Sequence, residues 1–210
     1  DLAVLGIGAV KNTFNNTDGI KLDYVDPASL VWSYTEDPNF EDCYYFGEVK
    51  RISVNELKKQ FPNLPNEEIA EFVKKGSNWV DYNNNWFNKN FNSEIDNNNT
   101  LTVLYFNWKT WENNVYKIKE TSTGADKAIL KDDQFNPPQD KRTRFERVAQ
   151  AREVIYEGAY VLGSNILLKW EKATNMIRPS SNTNKVLMNY TVSAPRMYKG
   201  CITSLVSKMT

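Results

Sequence analysis

The sequence predicts an α+β protein: small antiparallel or mixed sheets with β-hairpins and short helices, ending in the start of a longer helix. Three observations predict it. Runs rich in Val, Tyr and Leu, each of strand length, are separated by Asp-Pro, Asn-rich and Gly-Ser-Asn breaks. A capping box and an acid-to-base gradient mark two short helices. Six Trp, eleven Tyr and ten Phe in 210 residues give a chain able to bury a sizeable core.

The elements follow in order. Gly6-x-Gly8 lacks the third glycine of a dinucleotide turn and reads as a tight strand-end turn. Residues 20–37 give two short strands broken at Asp26-Pro27, and 42–53 a third. Ser53 and Glu56 form a capping box, so a short helix runs to Phe61 and stops at Pro62. Residues 65–76 form a second helix, with acids early, lysines late and Ile69, Phe72 and Val73 as its apolar stripe. Residues 77–100 are an Asn-rich insertion carrying Trp79, Trp86 and Phe87. Residues 101–121 read as a hairpin turning at Glu112-Asn113-Asn114. Residues 124–140 read as a polar connector, 141–154 as a basic stretch with helical spacing, and 154–172 as a second hairpin turning at Gly163-Ser164-Asn165. A loop (175–185) and a short strand follow. An amphipathic helix then starts at Ser193, with Ile202, Leu205, Val206 and Met209 on one side. The expected parts are 1–76, 77–100, 101–192 and 193–210.

Composition excludes several function classes. Lysines and arginines balance aspartates and glutamates at zero net charge, so any nucleic-acid contact is local or shared among copies. The absence of histidine removes the commonest general base and metal ligand. Cys43 and Cys201 stand too far apart for a zinc motif and read as buried free thiols. No catalytic residue, metal site or cofactor is expected. Glu67-Glu68 and Asp132-Asp133 fit a helix start and a connector better than acid–base chemistry. No apolar run is long enough to span a membrane as a helix. The chain, beginning Asp1-Leu2-Ala3, reads as a piece of a longer protein.

Two candidate contact sets remain. Lys141, Arg142, Arg144, Arg147 and Arg152 form a basic stretch, partly offset by Asp140, Glu146 and Glu153. It suits nucleic-acid or subunit contact, stronger when repeated around a ring. Tyr156, Tyr160 and Trp170 lie on the second hairpin, whose Tyr156-Gly158-Tyr160-Leu162 alternation is expected to face the core. The leftover apolar residues would face a neighbouring subunit.

Three segments together resemble the portal proteins of tailed bacteriophages, most closely those of the crAss-like group. They are "VDPASLVWSYTEDPNFEDCYYFGEVKRISVNELKKQFP" (25–62), "LTVLYFNWKTWENN" (101–114), and "REVIYEGAYVLGSNILLKWEKATNMIRP" (152–179) with "SAPRMYKGCITSLVSKM" (193–209). The resemblance implies a portal-like fold and a mechanical, non-enzymatic role. It implies a homododecameric ring at the capsid vertex, with double-stranded DNA passing through during packaging and ejection. Terminase, the major capsid protein and head-to-tail connectors would be partners. The location would be the virion, and the host cytoplasm during assembly. The competing reading is a carbohydrate-binding or adhesion module using the Asn- and Trp-rich insertion. Its sequons at Asn15, Asn98 and Asn189 carry weight only in a secreted chain.

Overall fold

The computed structural model describes residues 2–15, 19–65, 67–69, 71, 100–120, 123–137, 145–164, 166–204 and 206. The Asn-rich insertion from 77 to 99, with Trp79, Trp86 and Phe87, therefore lies outside the described residues, as do Lys141, Arg142 and Arg144.

A short helix α1 (Leu2–Leu5) ends at Gly6, whose positive φ of 79° lets the chain turn into strand β1 (Gly8–Asn15). Strand β2 (Gly19–Val25) returns antiparallel. Asp26 then accepts the Ala28 amide and starts a 3-10 turn, Pro27–Ser29, at the expected Asp-Pro break. Strands β3 (Leu30–Trp32) and β4 (Tyr45–Ser53) follow. Helix α2 (Val54–Gln60) begins where the Ser53 hydroxyl accepts the Glu56 amide. Glu56 does not complete a capping box. Its carboxylate accepts from Gln60, which in turn accepts from the Tyr105 hydroxyl. Of the second expected helix, Ile69 is buried and its amide bonds the Pro65 carbonyl.

The remaining strands are β5 (Thr100–Glu120), β6 (Asp126–Lys131), β7 (Phe145–Val161), β8 (Ile166–Lys172), β9 (Tyr190–Ser193), β10 (Met197–Tyr198) and β11 (Cys201–Ile202). β3, β4, β5, β7 and β8 pair side by side, with β6 added to the distal end of β5. β2, β1 and β9 make a three-stranded sheet. All of these pairings are antiparallel.

Four expectations are corrected. The turn at Glu112-Asn113-Asn114 does not exist. Asn113 and Asn114 sit within β5 opposite Ala151 and Gln150, so cross-strand pairing outweighs asparagine's turn preference. Residues 145–152 of the basic stretch form part of β7 rather than a helix. The polar connector contains β6. The helix expected from Ser193 is replaced by the β10–β11 hairpin, whose loop residues Lys199 and Gly200 both have positive φ. That is the geometry of a tight two-residue hairpin turn. The second hairpin does turn at Gly163, with φ of 86°.

Burial follows strand parity. Phe46 of β4 meets Ala9, Val25, Tyr190 and Val192 from the smaller sheet. Leu57 of α2 is sealed against Leu101, Val103, Ala159 and Val161 on β5 and β7. The loop after β8 folds back so that Ala173 and Val186 cover Ile155. Arg178 ties this loop down by donating to the carbonyls of Glu153, Thr183 and Lys185, while the Glu153 carboxylate accepts the Val186 amide.

Leu57 is the one fully buried side chain of α2. Leu57→Ala is expected to cost about 2–5 kcal/mol in urea unfolding. A loss below about 1 kcal/mol would mean that α2 does not anchor the end of the large sheet.

Candidate functional site

The large sheet has one face turned to the core and one turned outward, and register assigns each side chain. The row Val31–Gly47–Phe106–Gly158–Trp170 crosses all five strands on the outer face. Beside it runs Tyr45–Trp108–Tyr156–Lys172, and on the other side Val49–Leu104–Tyr160–Leu167. These rows bring together all three expected subunit-contact residues. Tyr156 stacks on Trp170 at 5.2 Å and 12°, and Tyr45 stacks on Trp108 at 5.7 Å and 8°. Phe106 lies tilted beside Trp170 at 5.7 Å.

Two glycines make this layer flat. A Cβ on Gly158 would overlap the Phe106 ring, and one on Gly47 would lie 2.9 Å from Leu104 Cδ1. The Phe106 ring lies over Gly158, and a shallow apolar trough of about 280 Å³ opens between Val31, Leu104, Trp108 and Tyr160. Trp108 remains 39 % exposed and Trp170 47 %. A polar rung, Glu112 opposite Arg152 with Lys172 ion-paired to Glu112, closes the upper end.

The core-facing side of the 156–162 stretch is therefore the opposite of the one expected. Ile155, Ala159 and Val161 are buried, whereas Tyr156 and Tyr160 lie half-buried on the outer face. The expected alternation put the large rings inside. The core instead takes the smaller residues: Ala159 and Val161 pack under Leu57 of α2, and Ile155 under Ala173 and Val186 of the loop after β8.

The two described arginines of the basic stretch do not share a face, and Lys141, Arg142 and Arg144 lie outside the described residues. Arg147 and Arg152 differ by an odd number of positions in a strand, so they point to opposite faces. Arg147 donates to the Asp133 carbonyl at 2.8 Å and faces its carboxylate at 3.7 Å. Arg152 lies across from Glu112 at the edge of the aromatic face.

Between the sheets, a cleft of about 910 Å³ is bordered by Lys11, Asn107, Glu157, Lys169, Met176 and Asn189. Burial holds the Lys11 ammonium below its ordinary pKa, and it sits 4.9 Å over the Tyr190 ring. Burial, reinforced by Glu48 and Glu157, raises the Tyr190 phenol well above its usual range. Burial opposes the charge of Lys169, but hydrogen bonds to Glu171 and Glu157 hold its pKa above normal. Glu157 and Glu171 are thus both paired with Lys169. Among the described residues, no group of His, Cys, Asp and Glu could hold a metal ion, and no helix is long and apolar enough to cross a membrane. Cys43 is buried as expected, and burial raises its pKa; Cys201 is exposed in the tight β11 hairpin, contrary to expectation.

Phe106, Tyr45 and Trp108 were absent from the sequence-derived contact set. Phe106 and Trp108 fall on alternate positions of the run 101–108, which already signals a shared face, whereas Tyr45 joins them only through its register with Trp108. Gly158→Val is expected to lower stability by about 1–3 kcal/mol by lifting the Phe106 ring off the sheet. An unchanged melting temperature would show that the ring does not need the glycine. No family model matches the chain, and no curated protein matches it.

Proposed function

We propose that the chain is part of a ring-forming portal subunit of a tailed bacteriophage, with a mechanical rather than catalytic role. The observation that carries this reading is the flat aromatic face of the large sheet, left exposed and bounded by a polar rung. Exposed apolar surface of this extent marks an interaction site. A cyclic ring needs two different adhesive surfaces on each subunit. The second is supplied by the β1–β2 hairpin, where Val10, Phe14, Ile20, Leu22 and Tyr24 share one side. Ile20 is 79 % exposed and Leu22 68 %.

In this reading Tyr156, Tyr160 and Trp170 are subunit contacts. The ring sits at the capsid vertex, double-stranded DNA passes through it, and terminase, capsid protein and connectors dock on it. The sequence resemblance over 25–62, 101–114 and 152–179 is what suggests this family. A carbohydrate-binding module is the second reading. It is favoured by the two stacked, near-parallel Tyr–Trp pairs, whose aromatic surface suits contact with sugar rings.

Negative-stain microscopy of the full-length gene product separates the two. Rings with a central hole are the expected outcome, and Trp108→Ala with Trp170→Ala should leave the circular dichroism unchanged while abolishing them. A uniform monomer at high concentration would overturn the portal reading. Retention of a glycan from an array by that monomer, lost in the same double variant, would establish the second.

A further inference from the structure

Beyond the aromatic face, β5 and β7 continue as a ribbon joined by β6, and its charges sort by face. Register places Lys117 between Ile129 and Arg147, and Lys119 between Lys127 and Phe145. Lys131 lies opposite Val115 on the same side. Directly opposed residues share a face, so Lys117, Lys119, Lys127, Lys131 and Arg147 project together. Glu120, Asp126 and Glu146 occupy the alternate positions and project from the other side. A chain of zero net charge thus carries a ribbon with one basic and one acidic face.

The basic face is built rather than incidental. The Phe135 ring folds back onto it, with Lys117 Nζ 5.7 Å and Lys131 Nζ 5.9 Å from its centroid. Cations over ring faces are attracted to them, which restrains two of the lysines. Asp133 offsets Arg147 from the turn after β6. Lys119, Lys127 and Lys131 are exposed.

We propose that this face binds the phosphate backbone of nucleic acid without reading its sequence. Lysine is depleted from the centres of protein–protein interfaces, whereas Lys and Arg are what neutralise phosphates. Side chains two apart along a strand stand about 6.6 Å apart, and neighbouring strands about 4.8 Å. Duplex DNA presents a charge for about every 1.7 Å of its axis, so such a face spans several phosphates. The inference deepens the ring reading and rests on it for the choice of duplex DNA.

The test is fluorescence anisotropy of the full-length protein with a short mixed-sequence duplex over a salt series. Each phosphate neutralised contributes about −0.9, so engagement of several cations of this face should give a log–log salt slope of about −2 to −4. Lys119→Gln with Lys127→Gln should weaken binding about tenfold or more and flatten the slope by about 2. Lys58→Gln with Lys59→Gln, on α2, should change neither. Absence of salt-dependent binding, or equal losses in both double variants, would overturn the proposal. Binding to polyglutamate but not to duplex would overturn it too, transferring the face to an acidic protein partner. Ring assembly is read separately by microscopy: intact rings without DNA binding sink this inference alone, and DNA binding without rings sinks the ring reading alone.

Discussion

The antiparallel pairing of β5 with β7, unbroken from Val103–Val161 to Lys119–Phe145, sets the position of every surface described above. Side chains alternate with a period of two, so a slip of one residue would exchange the two faces of every strand involved. Val103, Ala159 and Val161 would leave the core beneath α2, and Phe106, Trp108 and Tyr156 would be driven into it. The same slip would mix the lysines of the distal ribbon with its acids. One register therefore specifies the core, the aromatic face and the charge segregation together. It is pinned by volume: Gly158 admits the Phe106 ring lying over it, where a Cβ would overlap the ring.

The contact between the two sheets has a different character. Around Phe46 and Tyr190 it is apolar, with the rings stacked at 5.6 Å. Further along it turns polar. Glu48 is nearly buried and paired with Lys50 at 3.0 Å, while Lys11 loses hydration over the Tyr190 ring. Asn12 Oδ1, Glu48 Oε2, Asn107 Nδ2 and the Tyr190 hydroxyl are buried with no hydrogen-bond partner among the described residues. Each such atom costs on the order of 1–3 kcal/mol. The sheet-to-sheet contact is thus held at its apolar end, and the cleft opens at the end where burial is least favourable.

Local chemistry in the sequence was legible wherever it decided the structure alone. The Ser53 cap, the Asp26-Pro27 break and the Gly163 turn each depend on a few adjacent atoms, and each appears where the residues indicate. The α+β class is likewise found in the several antiparallel sheets and short helices. Misreadings arose where a distant strand outvoted local preference. Asn113 and Asn114 favour a turn, yet their backbone is taken up by Ala151 and Gln150. Lys199-Gly200 forces a hairpin onto a segment with helical apolar spacing. The parity of 156–162 could not be read from one strand, because both of its faces carry apolar residues. Only the partners in α2 and in the loop after β8 decide which is inside.

Charge gives the clearest case of information that exists only in three dimensions. Along the chain, Lys117, Lys119, Lys127, Lys131 and Arg147 are scattered among acids and average to nothing. The contiguous basic stretch at 141–152 attracts attention instead, yet its two described arginines point away from each other. Antiparallel pairing gathers the scattered lysines because each occupies an odd position in a register that matches odd with odd. In the proposed reading, a neutral chain would hold a polyanion by one face while its other faces meet protein. For a subunit with that proposed task, which includes release, a few cations on one ribbon would be better suited than a uniformly basic surface, since affinity grows with every phosphate neutralised.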